Sequence, residues 1–127
     1  MPRVYIIEDD PIMAECLALG IRAALPEVET ELFADALAGM ERVSEQLPDL
    51  ILLDVLLGGP DGFTFLNELI SYHDTAQIPV IIITSLDISR QNLEHYGVVA
   101  VLDKAKMTPD DLAGAVRQAL AGGPDAD

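Results

Sequence analysis

Two stretches of this chain are too apolar to lie anywhere but in an interior: Leu50-Ile51-Leu52-Leu53 and Val80-Ile81-Ile82-Ile83. Neither alternates apolar with polar residues, so neither can keep one face in water. Short unbroken runs of this kind read as strands buried on both faces, in a parallel sheet covered by helices on each side. The first run ends in Asp54, and Gly58-Gly59-Pro60-Asp61-Gly62 turns the chain soon after. The second ends in the hydroxyls of Thr84 and Ser85. A carboxylate at the carboxyl end of a central parallel strand stands where open α/β sheets bind their ligands. The plainer reading of Asp54 is a helix N-cap or a solvated strand-end aspartate, and the rest of the chain decides between the two.

The other segments fit the same frame. Val4-Tyr5-Ile6-Ile7 is a β-type run that ends in Glu8-Asp9-Asp10. Asp10 is a natural N-cap and Pro11 suits the first helical position, so a helix is expected from about Pro11 to Leu25. Ile12, Cys16, Leu19 and Ala23 recur along it at helical spacing, and Cys16 reads as a small core residue. A half-exposed strand follows over 28–33. Asp35 caps a second helix to about Gln46, with Leu37, Met40, Val43 and Leu47 as its stripe. A third helix should open at Asp61 or Gly62 and run to about Tyr72, and a short one is expected from Ile88 to Tyr96, stopped by Gly97. Val98 to Leu102 reads as the fifth strand and leads into Asp103-Lys104-Ala105-Lys106. Thr108, Pro109, Asp110 and Asp111 then start a last helix, to about Ala121. Residues 1–121 make one domain, and 122–127 read as a frayed tail.

Five strand–helix units at this spacing imply a doubly wound parallel sheet with right-handed crossovers. Every strand then points its carboxyl end at one edge, so Glu8, Asp9, Asp54, Thr84, Ser85 and Lys104 share a rim. Taken alone, three consecutive acids are a solvated turn and Lys104 is a loop lysine; together they make a site. Crowded carboxylates repel unless a cation joins them, and magnesium takes hard oxygen ligands from few side chains. A carboxylate can also attack phosphorus to form an aspartyl-phosphate. That chemistry needs a metal, an ammonium and a hydroxyl around the transferred oxygens.

Charge and composition narrow the partners. The net charge of −15 argues against nucleic acid, whose phosphates require clustered Lys and Arg, and against anionic membrane surfaces. The lone cysteine, Cys16, allows no internal disulfide and fits a reducing compartment. No stretch has signal-peptide form or spans a bilayer, so a soluble, cytoplasmic protein is expected.

With Glu8-Asp9 after the first strand, Asp54 after the third, Asp61-Gly62 beyond it, Thr84 after the fourth and Lys104 after the fifth, the chain resembles a bacterial response-regulator receiver domain over essentially its whole length. The resemblance implies a flavodoxin-like sheet in the order 2-1-3-4-5, with Asp54 as phosphoacceptor. It also implies Mg2+ held by Asp9, Asp54 and the backbone carbonyl of Leu56, with Glu8 helping through water. Thr84 would hydrogen-bond the phosphoryl group and Lys104 would pair with it. A sensor histidine kinase or phosphotransfer protein would supply the phosphoryl group, and output would pass through a partner protein or a homodimer. His73 and His95 read as surface residues rather than relay histidines.

This chain departs from the usual receiver pattern at three places. Ala105 replaces a common proline after the lysine, Gly58 replaces a proline four residues after the acceptor, and Val101 stands where an aromatic usually swings inward. The competing functions are a degenerate receiver that serves as a constitutive binding module, and a small aspartyl-phosphate hydrolase. The hydrolase would need a second acid two residues after the nucleophile, where this chain has Leu56. A dinucleotide site is disfavoured because no G-x-G-x-x-G follows the first strand.

Overall fold

A computed structural model describes residues 1–55, 62–86 and 93–122. Its strands are β1 (Arg3–Ile7), β2 (Glu29–Phe33), β3 (Leu50–Leu53), β4 (Val80–Thr84) and β5 (Val98–Asp103). Its helices are α1 (Pro11–Ala24), α2 (Ala36–Glu45), α3 (Gly62–Ile70), α4 (His73–Ala76) and α5 (Pro109–Leu120), with a 3-10 turn over Glu94–Tyr96. All strand pairs are parallel and the sheet order is β2-β1-β3-β4-β5. This is the order that the family resemblance implied.

The unbroken apolar runs are explained by their two covers. In β1 and β3, Tyr5, Ile7, Ile51 and Leu53 pack with Val43 of α2 and with Phe65, Leu66 and Leu69 of α3. Val4, Ile6, Leu50 and Leu52 point to the other face, onto Leu17 and Ile21 of α1 and Leu112 and Val116 of α5. Successive strand residues face opposite sides, so a strand between two helical layers must be apolar at every position. The fully buried Tyr5 keeps its hydroxyl satisfied by donating to the Gln46 carbonyl at 2.7 Å, and its ring meets Phe33 edge-on at 5.2 Å.

Helix starts follow the sequence closely. Asp10 accepts from the Ile12 and Met13 amides, Asp35 accepts from Ala38, and Thr108 and Asp111 form a reciprocal capping box ahead of α5. Gly97 takes φ +81° and closes the 3-10 turn, a conformation that glycine adopts without strain.

The helical faces differ from expectation. Ile12 is 75% and Leu19 58% exposed, and Cys16 and Ala23 also lie at the surface. The buried face of α1 is Ala14, Leu17, Ala18 and Ile21. Both stripes have helical spacing, and the direction in which the capped helix leaves β1 decides which one meets the sheet. Cys16 is therefore an exposed thiol rather than a core residue. On α2, Val43 is buried as expected, while Leu37 and Leu47 stand largely in water. Helix α3 ends at Ile70, before Tyr72, and the extra turn α4 follows it. Of the helix expected over Ile88 to Tyr96, residues 87–92 lie outside the described residues; the part that is described contains the 3-10 turn. Residues 123–127 of the expected tail lie outside them as well.

The face assignment of α1 is directly testable. Leu17→Ala should cost about 2–4 kcal/mol in urea unfolding, because it empties a packed site. Leu19→Ala should change stability by less than about 0.5 kcal/mol. Equal losses would mean that α1 is rotated from the orientation described here.

Candidate functional site

The site is assembled by the strand ends. Register pairs Ile7 with Leu53, Leu53 with Ile82, and Thr84 with Asp103, so the residues after β1, β3, β4 and β5 all emerge at one edge of the sheet. The main chain ties these ends together: the Asp54 amide donates to the Ile7 carbonyl at 3.1 Å, and the Lys104 amide to the Thr84 carbonyl at 3.0 Å.

Glu8 and Asp54 are only 3% and 4% exposed, whereas Asp9 lies in solvent. One carboxylate oxygen from each of the three falls within 4.8 Å of the others. Lys104 reaches across from β5 and sets its Nζ 2.7 Å from Asp54 Oδ2 and 2.5 Å from Glu8 Oε1. Burial pushes the Glu8 carboxyl above the usual range, against the pull of Lys104 and the Asp10 amide. Burial alone would lower the Lys104 ammonium, but its bonds to Asp54 and Glu8 outweigh that and raise it. The ammonium is therefore a firmly protonated counter-charge for buried acids.

Thr84 is fully buried. Its hydroxyl accepts from the Leu86 amide at 3.2 Å, which holds the start of the following loop against the strand end. Ser85 is exposed. Leu56, whose carbonyl the resemblance implied as a metal ligand, lies outside the described residues, as do Gly58 and Asp61. His73 and His95 are both exposed.

Two features that support the site were not read from the sequence. The first concerns Ala105. Its amide donates to Asp103 Oδ1 at 2.8 Å, an Asx turn that a proline there could not make because it lacks the N–H. The loop that presents Lys104 is thus held by a hydrogen bond, and there is no cis peptide among the described residues. The second is Gly62. A Cβ there would stand 2.4 Å from Val55 Cα and 3.0 Å from the Asp54 carbonyl. Only glycine lets the first turn of α3 approach the strand end that bears Asp54.

The residues present fit a divalent cation on two counts. The donors are hard oxygens, and one from each of Glu8, Asp9 and Asp54 falls within 4.8 Å of the other two.

Comparison with known proteins agrees with this geometry. The family model described as "Response regulator receiver domain" matches residues 4–117. Over 86 residues, 68% of this chain, the sequence is 36% identical to the DNA-binding dual master transcriptional regulator RpaA of Synechocystis, covering 35% of that protein. Over 85 residues, 67% of this chain, it is 35% identical to the response regulator PleD of Caulobacter vibrioides, covering 18% of it. The chain thus spans about a third or less of the length of these curated relatives. The signal receiver domain of a signal transduction histidine kinase from Syntrophus aciditrophicus superposes with a TM-score of 0.83 at 27% identity, over 100% of this chain and 96% of that one.

The Lys104 bridge predicts a stability cycle in magnesium-free buffer. Lys104→Ala should lose about 2–3 kcal/mol, because it takes the ammonium from between two buried carboxylates. Adding Glu8→Gln should recover part of that loss, since one of the charges is gone. Strictly additive losses in chemical denaturation would show that the bridge is not formed.

Proposed function

The chain belongs to the response-regulator receiver family of two-component signalling, and from that premise we propose that it is switched by phosphorylation of Asp54, with Glu8, Asp9 and the Leu56 carbonyl joining Asp54 around Mg2+. The observation that carries this reading is the buried Asp54 carboxylate. It lies in one acidic cluster with Glu8 and Asp9 and 2.7 Å from the Lys104 ammonium.

Bound magnesium would offset the charge of the carboxylates and of the incoming phosphoryl oxygens. The remaining work falls to the protein's own groups. An Asp54 oxygen attacks phosphorus as the bond from phosphorus to the donor breaks, and the donor leaves. The Lys104 ammonium exchanges a carboxylate oxygen for a phosphoryl oxygen. The Thr84 hydroxyl turns from the Leu86 amide and donates to another. That movement draws in the loop after β4, which transmits the switch without the aromatic that Val101 replaces. Val101 itself is only partly buried, against the core on the α2–α3 side.

In this reading a sensor histidine kinase or phosphotransfer protein is the donor, and a downstream protein receives the signal. The protein catalyses only its own phosphorylation and dephosphorylation. A cytoplasmic setting fits that role, and no described helix is long and apolar enough to cross a membrane. The presence of every acid, hydroxyl and amine that the chemistry requires counts against a degenerate module.

Incubation with Mg2+ and acetyl phosphate should add one phosphoryl group by mass. Asp54→Asn should remove that gain, and Asp9→Ala should abolish it while leaving the fold intact. A mass gain that persists in Asp54→Asn would move the acceptor elsewhere. The lifetime of the phosphorylated state should be long: in receivers the side chains two after the acceptor and two after the threonine flank the path of the attacking water, and the residues at those positions in this sequence, Leu56 and Leu86, cannot hydrogen-bond it. Leu56→Asn with Leu86→Glu should speed decay, each tenfold corresponding to roughly 1.36 kcal/mol of barrier. Equal decay of the two proteins after donor removal would sink that account.

A further inference from the structure

A groove of about 490 Å3 lies between α2 and the α3–α4 segment, apart from the carboxylate rim. Val43 forms its floor. Leu37, Met40 and Ser44 of α2 and Leu47 just beyond it line one wall, and Tyr72 lines the other. Leu37 is 64%, Tyr72 61% and Leu47 49% exposed, so three large apolar side chains on one face stand about half or more in water. A cluster of this kind marks an interaction surface more often than a solvent face.

The wall has a helical rhythm. Within α2, Leu37, Met40 and Ser44 follow one another at spacings of three and four, the spacing that puts residues on one helix face and receives the knobs of a second helix; Leu47 extends the wall beyond the extended C-cap Gln46. The rim has one sign. Glu41, Glu45, Glu68 and Asp74 surround the groove, and no Lys or Arg is among its lining residues. Arg42 of α2 is held by Glu31 at 2.9 Å on the β2 side, and reaches Glu45 only at 3.9 Å.

We propose that this groove docks a basic amphipathic helix of a partner protein, whose aliphatic anchors enter between Leu37, Leu47 and Tyr72 while flanking Lys or Arg residues meet the acidic rim. A second copy of this chain is a poor occupant. An isologous contact would set one acidic rim against another, on a protein of net charge −15. Apolar anchors with opposite charges at the edge are the usual terms of helix-in-groove recognition.

The probe is a synthetic helical peptide with leucines at i, i+3, i+4 and i+7 and lysines on both flanks. It is titrated into the full chain by calorimetry and by backbone amide NMR. Saturable one-to-one binding is expected, with shifts gathered in residues 36–47 and 68–75. Affinity should fall about tenfold in Leu47→Glu and in Tyr72→Glu. It should fall by a similar factor at high salt, or when the peptide lysines are replaced by glutamates. Acetyl phosphate labelling of the same variants should stay normal, so a failure of docking and a failure of the phosphorylation chemistry are read separately. Unchanged peptide affinity in both variants overturns the proposal, as does equal binding of the glutamate peptide. Dimerisation of the wild type that disappears in Leu47→Glu also overturns it, because the occupant would then be a second copy.

Discussion

Three carboxylates from the ends of β1 and β3 are held within 4.8 Å of one another, two of them nearly out of water. Their mutual repulsion is the constraint that the loops on this edge have to meet. Lys104 meets part of it. The ammonium lies between Glu8 and Asp54 and is itself raised in pKa by that pairing. A buried acid pair that depends on one cation is poised to exchange that cation for another, or to accept a group that brings a metal with it. On the proposed function, the same arrangement that pairs these charges would prepare Asp54 to accept a phosphoryl group.

The positions of the charged groups follow from the sheet rather than from the loops. Parallel strands buried on both faces can carry polar side chains only at their ends, and parallel pairing sends all carboxyl ends to one edge. The loops then adjust the detail. The Asx turn from Asp103 to Ala105 fixes the start of the loop that carries Lys104. Gly62 allows α3 to begin against the strand end at Asp54. In this chain a hydrogen bond from the Ala105 amide to the Asp103 side chain supports the loop where receivers usually have a proline, and Lys104 stays in reach of Asp54.

Helices α1 and α2 both leave large apolar residues in water, with different surroundings. On α1 the exposed stripe is Ile12, Cys16, Leu19 and Ala23. On α2 the exposed leucines border a groove with an acidic rim. The rim at the strand ends and the groove along α2 are separate, so one could be altered while the other is retained.

The strands, their order along the chain, the helix caps and the five polar positions at the strand ends were legible in the primary structure. Each depends on local rules: unbroken apolar runs, Asp and Thr before helices, and polar residues only where a buried strand stops. The buried faces of α1 and α2 were not legible, because each helix carries apolar residues on more than one side and periodicity alone cannot rank two stripes of equal spacing. Lys104 meets Glu8, about a hundred positions away in the chain, and Asp54, 50 positions away. That these residues share one edge followed from the parallel order; that the ammonium lies between Glu8 and Asp54 was decided only by the folded positions of the ends of β1, β3 and β5.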